Sequence, residues 1–230
     1  HEAPLRLVET QTDEPVTPNE LDPDLYFALL HVRRALFALA QDRTLQLPER
    51  MGLILHLAER VQPLLDAKQY ARIDALCTDP RPARALALVR RRILSDGAFF
   101  PCWMVLNNME HLTRRFGVML DAAVGQDAPP APFRDAFSVQ YENLTVYFLF
   151  RYALKAVNDR QLLPRVAACV FHLLCLRELL DDAGSETALC AAASLYSKEV
   201  EHSEENQKLL LKLFRRKTLT WQYLVSVLDA

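Results

Sequence analysis

An all-α fold is predicted, an irregular bundle of about eight to ten helices, and three observations predict it. Apolar residues recur at steps of three and four along most of the chain, as in Leu25, Leu29, Val32, Leu36 and Leu39. No segment sustains the two-residue alternation of a half-buried strand. The 13 prolines fall mostly between the periodic segments, where they punctuate helices rather than break them. With 51% hydrophobic and 24% charged residues in 230, the chain has the make-up of a globular protein with a substantial core, which excludes disorder.

Residues 1–23 carry Pro4, Pro15, Pro18 and Pro23 among threonines and acids, the pattern of an extended lead-in or linker. From position 24 the helical period begins, with Asp22 or Asp24 placed to cap it. Pro48 suits the first turn of a second helix that buries Leu53, Leu57, Val61 and Leu64, and Pro63 is expected to disturb its last turn. After a break at 78–82, Leu86, Val89 and Ile93 share one face of a helix that Gly97 stops. A long apolar-striped helix is then expected over 101–125, ending at Gly125. The Pro-rich loop 126–132 is the clearest internal boundary, and it leaves open an N-terminal helical lobe over 24–125 and a C-terminal one over 133–230. The second half reads as helices over 133–157, 162–180, 187–202, 204–214 and 218–228, the first of them rich in aromatics.

Composition also excludes functions. Five glycines, Gly52, Gly97, Gly117, Gly125 and Gly184, stand against a usual frequency of roughly 7%, and no two form GxG. A P-loop or a Rossmann turn needs several close together, so neither is present. Net charge is −2, without the basic field that nucleic-acid binding draws on, and no apolar run reaches the ~18 residues of a membrane span. Cys77, Cys102, Cys169, Cys175 and Cys190 are odd in number and scattered without CxxC, which suits a reducing, cytoplasmic compartment. The chain begins at His1 with no signal-peptide pattern, so a fragment or processed form is expected.

The densest polar cluster is YSKEVEHSEEN at 196–206. Glu199 and His202 have the Glu-x-x-His spacing that puts a carboxylate and an imidazole on one helical face, as in four-helix di-iron proteins. No second copy of that motif occurs, which disfavours a di-iron site. The simpler reading makes Ser203 a cap, with Glu204 and Glu205 at the positive end of the next helix and Lys208, Lys212, Arg215 and Arg216 toward its other end. Arg90, Arg91 and Arg92 span about 200° of a helix and read as a solvated face. His172, inside CVFHLLCL, reads as a core histidine with one satisfied nitrogen. Glu142, Asn143 and Arg151 are polar members of the aromatic helix, and facing inward they would need partners.

Four stretches together carry a resemblance: PLRLVE at 4–9, DRTLQLPERMGLILHLAERVQPLL at 42–65, YENLTVYFLFRYAL at 141–154 and YSKEVEHSEEN at 196–206. In this order and separation the chain resembles the C-terminal portion of the bacterial flagellin lysine-N-methylase family. That family pairs a cysteine-rich N-terminal segment, expected to hold an iron-sulfur cluster, with a long helical region, and the cysteine cluster is missing here. The resemblance implies methyl transfer from S-adenosylmethionine to lysine ε-amines of flagellin, with flagellin and the absent N-terminal domain as partners and the bacterial cytoplasm as the setting. The fragment alone is expected to be inactive, contributing substrate recognition and part of the pocket. Any methyl donor bound by these residues would sit between helices, since no Rossmann turn exists. Glu142, Tyr147, Tyr196, Glu199 and His202 lie within the matching stretches and can orient an amine or take its proton; Asn143, Arg151, Glu201 and Asn206 join them as candidate substrate-binding residues. No metal ligands are assigned. The alternative is a non-enzymatic helical scaffold or apolar-ligand-binding domain. The ligand domain of a transcription regulator is disfavoured because no basic helix-turn-helix precedes it.

Overall fold

The computed structural model describes residues 3–6, 8, 22–78, 98–124, 131–179 and 185–228. Among them are ten α-helices and no strand. In chain order they are α1 (Pro23–Ala40), α2 (Leu47–Asp66), α3 (Ile73–Thr78), α4 (Phe100–Asn107), α5 (Arg114–Val124), α6 (Ser138–Tyr152), α7 (Leu162–Leu179), α8 (Glu186–Tyr196), α9 (Glu204–Arg215) and α10 (Trp221–Ser226). Short 3₁₀ turns at Tyr70–Arg72, Asp135–Phe137 and Ala153–Val157 join or extend them, and a π turn spans Ser197–Glu201. The all-α expectation therefore holds, while the expected helix with Leu86, Val89 and Ile93, the Arg90 to Arg92 run, Gly97 and most of the loop 126–132 lie outside the described residues.

Helix α7 is the axis of the bundle. Its residues from Val166 to Arg177 are all buried, because CVFHLLCL offers apolar side chains on every face and α2, α5, α6, α8, α9 and α10 pack around it. Its broadest contact is with α2, so one continuous apolar core joins helices from either side of the 126–132 loop. α1 lies across α2, α6 and the 153–157 turn.

Local chemistry sets several ends. The Asp22 carboxylate accepts from Leu25 N at 3.2 Å, and Pro23 occupies the first turn of α1, one residue earlier than the period suggested. Glu49 returns to Gln46 N at 2.8 Å to close a capping box over Pro48. Pro63 does not end α2, which continues to Asp66. The missing amide bond is offset by Gln62, whose Nε2 reaches Asp66 Oδ1 (2.9 Å) and Arg160 O (2.8 Å) and whose Oε1 accepts from Leu163 N (2.9 Å), tying the last turn to the start of α7. α2 and α9 stop without glycine: Lys68 and Lys217 follow them at φ 55° and 57°, a left-handed conformation that glycine adopts more cheaply.

Candidate functional site

The 196–206 cluster folds around the π turn. His202 N donates to Ser197 O at 2.8 Å, a five-residue step in place of the α-helical four. That extra residue sends the acids of the cluster in different directions. Glu199 turns toward residues 110–113, and Glu201 turns inward against α6. The expected pairing of Glu199 with His202 is replaced by Glu201 Oε2 to His202 Nε2 at 3.1 Å.

Glu201 has a wholly buried carboxylate surrounded by donors. Oε2 accepts from Ser197 Oγ at 2.5 Å, Oε1 pairs with Arg151 Nε at 2.6 Å, and Tyr147 Oη lies 3.3–3.4 Å from both oxygens. Tyr152 Oη donates to Oε1 and also contacts the Glu201 carbonyl at 3.1 Å. Burial pushes the carboxyl pKa up, but donation from Ser197 and Tyr152 and the charges of Arg151 and His202 outweigh it and hold the group below its ordinary value. Burial and the adjacent Glu201 raise the Tyr147 and Tyr152 phenols, so both remain protonated donors.

Over Glu201 opens a cleft of about 160 Å³ between α6, α7 and α9. Arg151, Tyr152, Lys155, Arg165, Glu201, His202, Glu204 and Gln207 line its polar side, and Ala168 and Leu211 its apolar side. Lys155 Nζ stands 5.0 Å from the centre of the Tyr152 ring.

Glu199 and Asn206 do different work. Glu199 Oε2 accepts from Leu112 N (2.5 Å) and Thr113 N (3.1 Å), while Asn206 Oδ1 accepts from Glu110 N (2.8 Å) and Asn206 Nδ2 donates to Glu110 O (2.9 Å) and Glu199 O (3.2 Å). These bonds satisfy the backbone of 110–113 in a non-helical course. The single long helix expected over 101–125 is accordingly two, α4 and α5. Burial opposes ionisation of Glu199, but the Thr113 side chain and the two amides outweigh it and lower its pKa.

Behind the cleft, buried His172 makes bonds at both ring nitrogens, where one was expected: Nδ1 with Tyr196 Oη at 2.8 Å and Nε2 with Gln207 Nε2 at 3.1 Å. Gln207 thus links this buried chain to the cleft wall. Burial depresses the imidazole pKa from 6.5 to about 4, against the pull of Glu201 and Gln207. Between those values the unfolded chain binds a proton that the native chain refuses, so stability falls as pH drops from 6.5 toward 4. Full expression of that gap is worth about 3 kcal/mol. Imidazole NMR shifts will show no His172 protonation above pH 5; a midpoint near 6.5 would refute the buried chain.

Glu142 lies elsewhere. Its buried carboxylate takes a two-pronged contact from Arg43 (Nη2 2.9 Å, Nε 3.0 Å) and one from Arg50 Nη1 (2.9 Å). Asn143 is half-buried on α6. Of the residues singled out from sequence, Arg151, Glu201 and His202 come together at the cleft; Tyr147 contacts Glu201 from outside its lining, Tyr196 stands behind it, Glu199 and Asn206 hold the 110–113 turn, and Glu142 joins the arginines. Sequence reasoning missed Tyr152, Lys155, Arg165, Ser197 and Gln207. Tyr152 and Ser197 sit inside the matching stretches, while the other three carry no local signal. The described residues hold no group of three or more His, Cys, Asp or Glu placed to bind a metal, so they offer no ligand set for an iron-sulfur cluster.

Fold and site together define an all-α domain built on a buried carboxylate that opens to a small cation-lined cleft. Residues 130–227 match the family model of the FliB lysine N-methylase C-terminal domain, which relates the chain to flagellin lysine methylases. No curated protein and no solved structure matches the chain. All the lining residues of the cleft fall within the matched span.

Proposed function

We propose that the chain is the substrate-recognition part of a flagellin lysine methylase and that a flagellin lysine side chain is received at the His202 rim of the Glu201 cleft. The observation that carries this is the coincidence of the matched span with the complete lining of the cleft. A lysine amine attacks a methyl donor only when neutral. Arg151, Lys155 and Arg165 disfavour an arriving ammonium, and Glu201 has its lone pairs occupied, so the local field promotes proton loss. His202, half-exposed at the rim with Nε2 against Glu201, takes that proton at Nδ1. Glu201 positions His202 and holds Tyr147, which stands outside the cleft lining.

The methyl donor in this reading is S-adenosylmethionine, held mainly by residues outside this chain. At about 160 Å³ the cleft is about half the lower limit of pockets that enclose drug-sized ligands, ~300 Å³, and does not fit a whole nucleoside-bearing donor. The iron-sulfur cluster belongs, on the same reading, to the cysteine-rich segment.

Calorimetric titration of the chain with monomeric flagellin tests the proposal. Saturable binding is expected, weakened about fivefold or more by His202→Ala, the loss of one polar contact. Absence of flagellin binding to the unmodified chain overturns it and favours the scaffold alternative.

A further inference from the structure

The cleft contains more cationic donors than the fold uses. Arg151 pairs with Glu201 and reaches Tyr152 Oη through Nε, and its two terminal nitrogens donate no hydrogen bond among the described residues. Lys155 has no carboxylate partner among those residues. Arg165 gives Nε and Nη2 to Asp159 (3.4 and 2.7 Å), which leaves Nη1 uncommitted. The neighbouring carboxylates leave those donors open, since Asp159 engages only Nε and Nη2 of Arg165. Glu201 is saturated by Tyr147, Tyr152, Arg151, Ser197 and His202, and Glu204, whose side chain is 84% exposed and 3.7 Å from Lys208, is screened by water.

Donors of this kind, around a space sized for a single amino-acid group, complement an oxyanion. A planar carboxylate suits them best, since guanidinium groups present parallel N–H bonds to it. Ala168 and Leu211 offer an apolar wall for the methylenes that carry it.

We infer that the cleft is a carboxylate subsite in which Lys155 and Arg165 grip the anion and Arg151 closes the third side. The carboxylate can come from an acidic side chain next to the target lysine or from the amino-acid end of a small compound. The subsite stands on the cleft alone, and only the protein source rests on the flagellin reading. With an acidic neighbour seated here, the substrate lysine is placed at the His202 rim.

The test is an NMR titration of the chain, following the arginine Nε–H signals at constant ionic strength. Three probes are used: the peptide acetyl-Gly-Glu-Gly-amide, its Gln counterpart and free methionine. Saturable shifts of Arg151 and Arg165 are expected with a carboxylate probe and not with the Gln peptide. Lys155→Met, at an exposed position, weakens binding about tenfold, one charge-assisted hydrogen bond, and Glu204→Gln tightens it. The tighter of the two carboxylate probes identifies the source. Equal shifts from the Gln peptide or from chloride alone, or no saturable shift, overturn the subsite. Carboxylate binding without flagellin binding leaves the subsite standing and removes the recognition reading; flagellin binding without carboxylate binding does the reverse.

Discussion

Replacing Glu142 with alanine lowers stability by about 3–5 kcal/mol, the usual effect of removing one member of a buried ion cluster. The carboxylate is 2% exposed and neutralises two arginines. Without it, Arg50, whose side chain is 9% exposed, is left charged among apolar groups with only the carbonyls of Leu45 (2.9 Å) and Ala40 (3.3 Å) as partners. The triad ties the turn between α1 and α2 to α6, so the loss is felt by the whole bundle. Arg43→Met costs less, because the Arg43 side chain is 35% exposed and Arg50 still pairs with Glu142. Urea unfolding of both variants checks the order; a Glu142→Ala midpoint equal to that of the unmodified chain refutes it.

The second large effect is acid sensitivity centred on Glu201. Its native pKa is depressed and that of the unfolded chain is near 4.5. As pH falls through 4.5 the unfolded chain takes up a proton first, so the stabilisation present above that value is lost on the way down through the native pKa. Glu199, depressed in the same sense, acts in the same window. Loss due to His172 begins earlier, from 6.5. Glu201→Gln, which removes the charge facing Arg151 and His202, lowers stability by roughly 3 kcal/mol at neutral pH and flattens the acid limb. Urea midpoints from pH 7 to 3 separate the cases: an acid limb as steep in the variant as in the unmodified chain refutes the assignment.

What was legible in the sequence was local. Asp22 and Pro23, Pro48 with its returning Glu49, and Ser203 ahead of Glu204 and Glu205 mark helix starts because each acts within one turn; Ser203 Oγ accepts from Asn206 N at 3.3 Å as the spacing predicts. The matching stretches also contain the cleft's central carboxylate and all five side chains that contact it. What was not legible depends on distant partners. The break at 108–113 is invisible in its own residues, whose apolar period continues through it, because Glu199 and Asn206 accept its amides from more than 80 positions away. Lys155 and Arg165 look like ordinary surface charges until α6 and α7 are placed side by side. Glu-x-x-His spacing misleads because it assumes 3.6 residues per turn, and a π turn does not keep that count.

The π turn makes the site depend on an insertion. Such a turn holds one residue more than the α turn it replaces, so shortening 197–201 by a single position, for example at exposed Lys198, restores α-helical register. Helix α8 is then rotated by about 100° relative to α9. Ser197 parts from Glu201, and Tyr196 from the His172 chain. Chain length between Tyr196 and Ser203 is thus as strict a requirement of this cleft as the identity of any side chain in it.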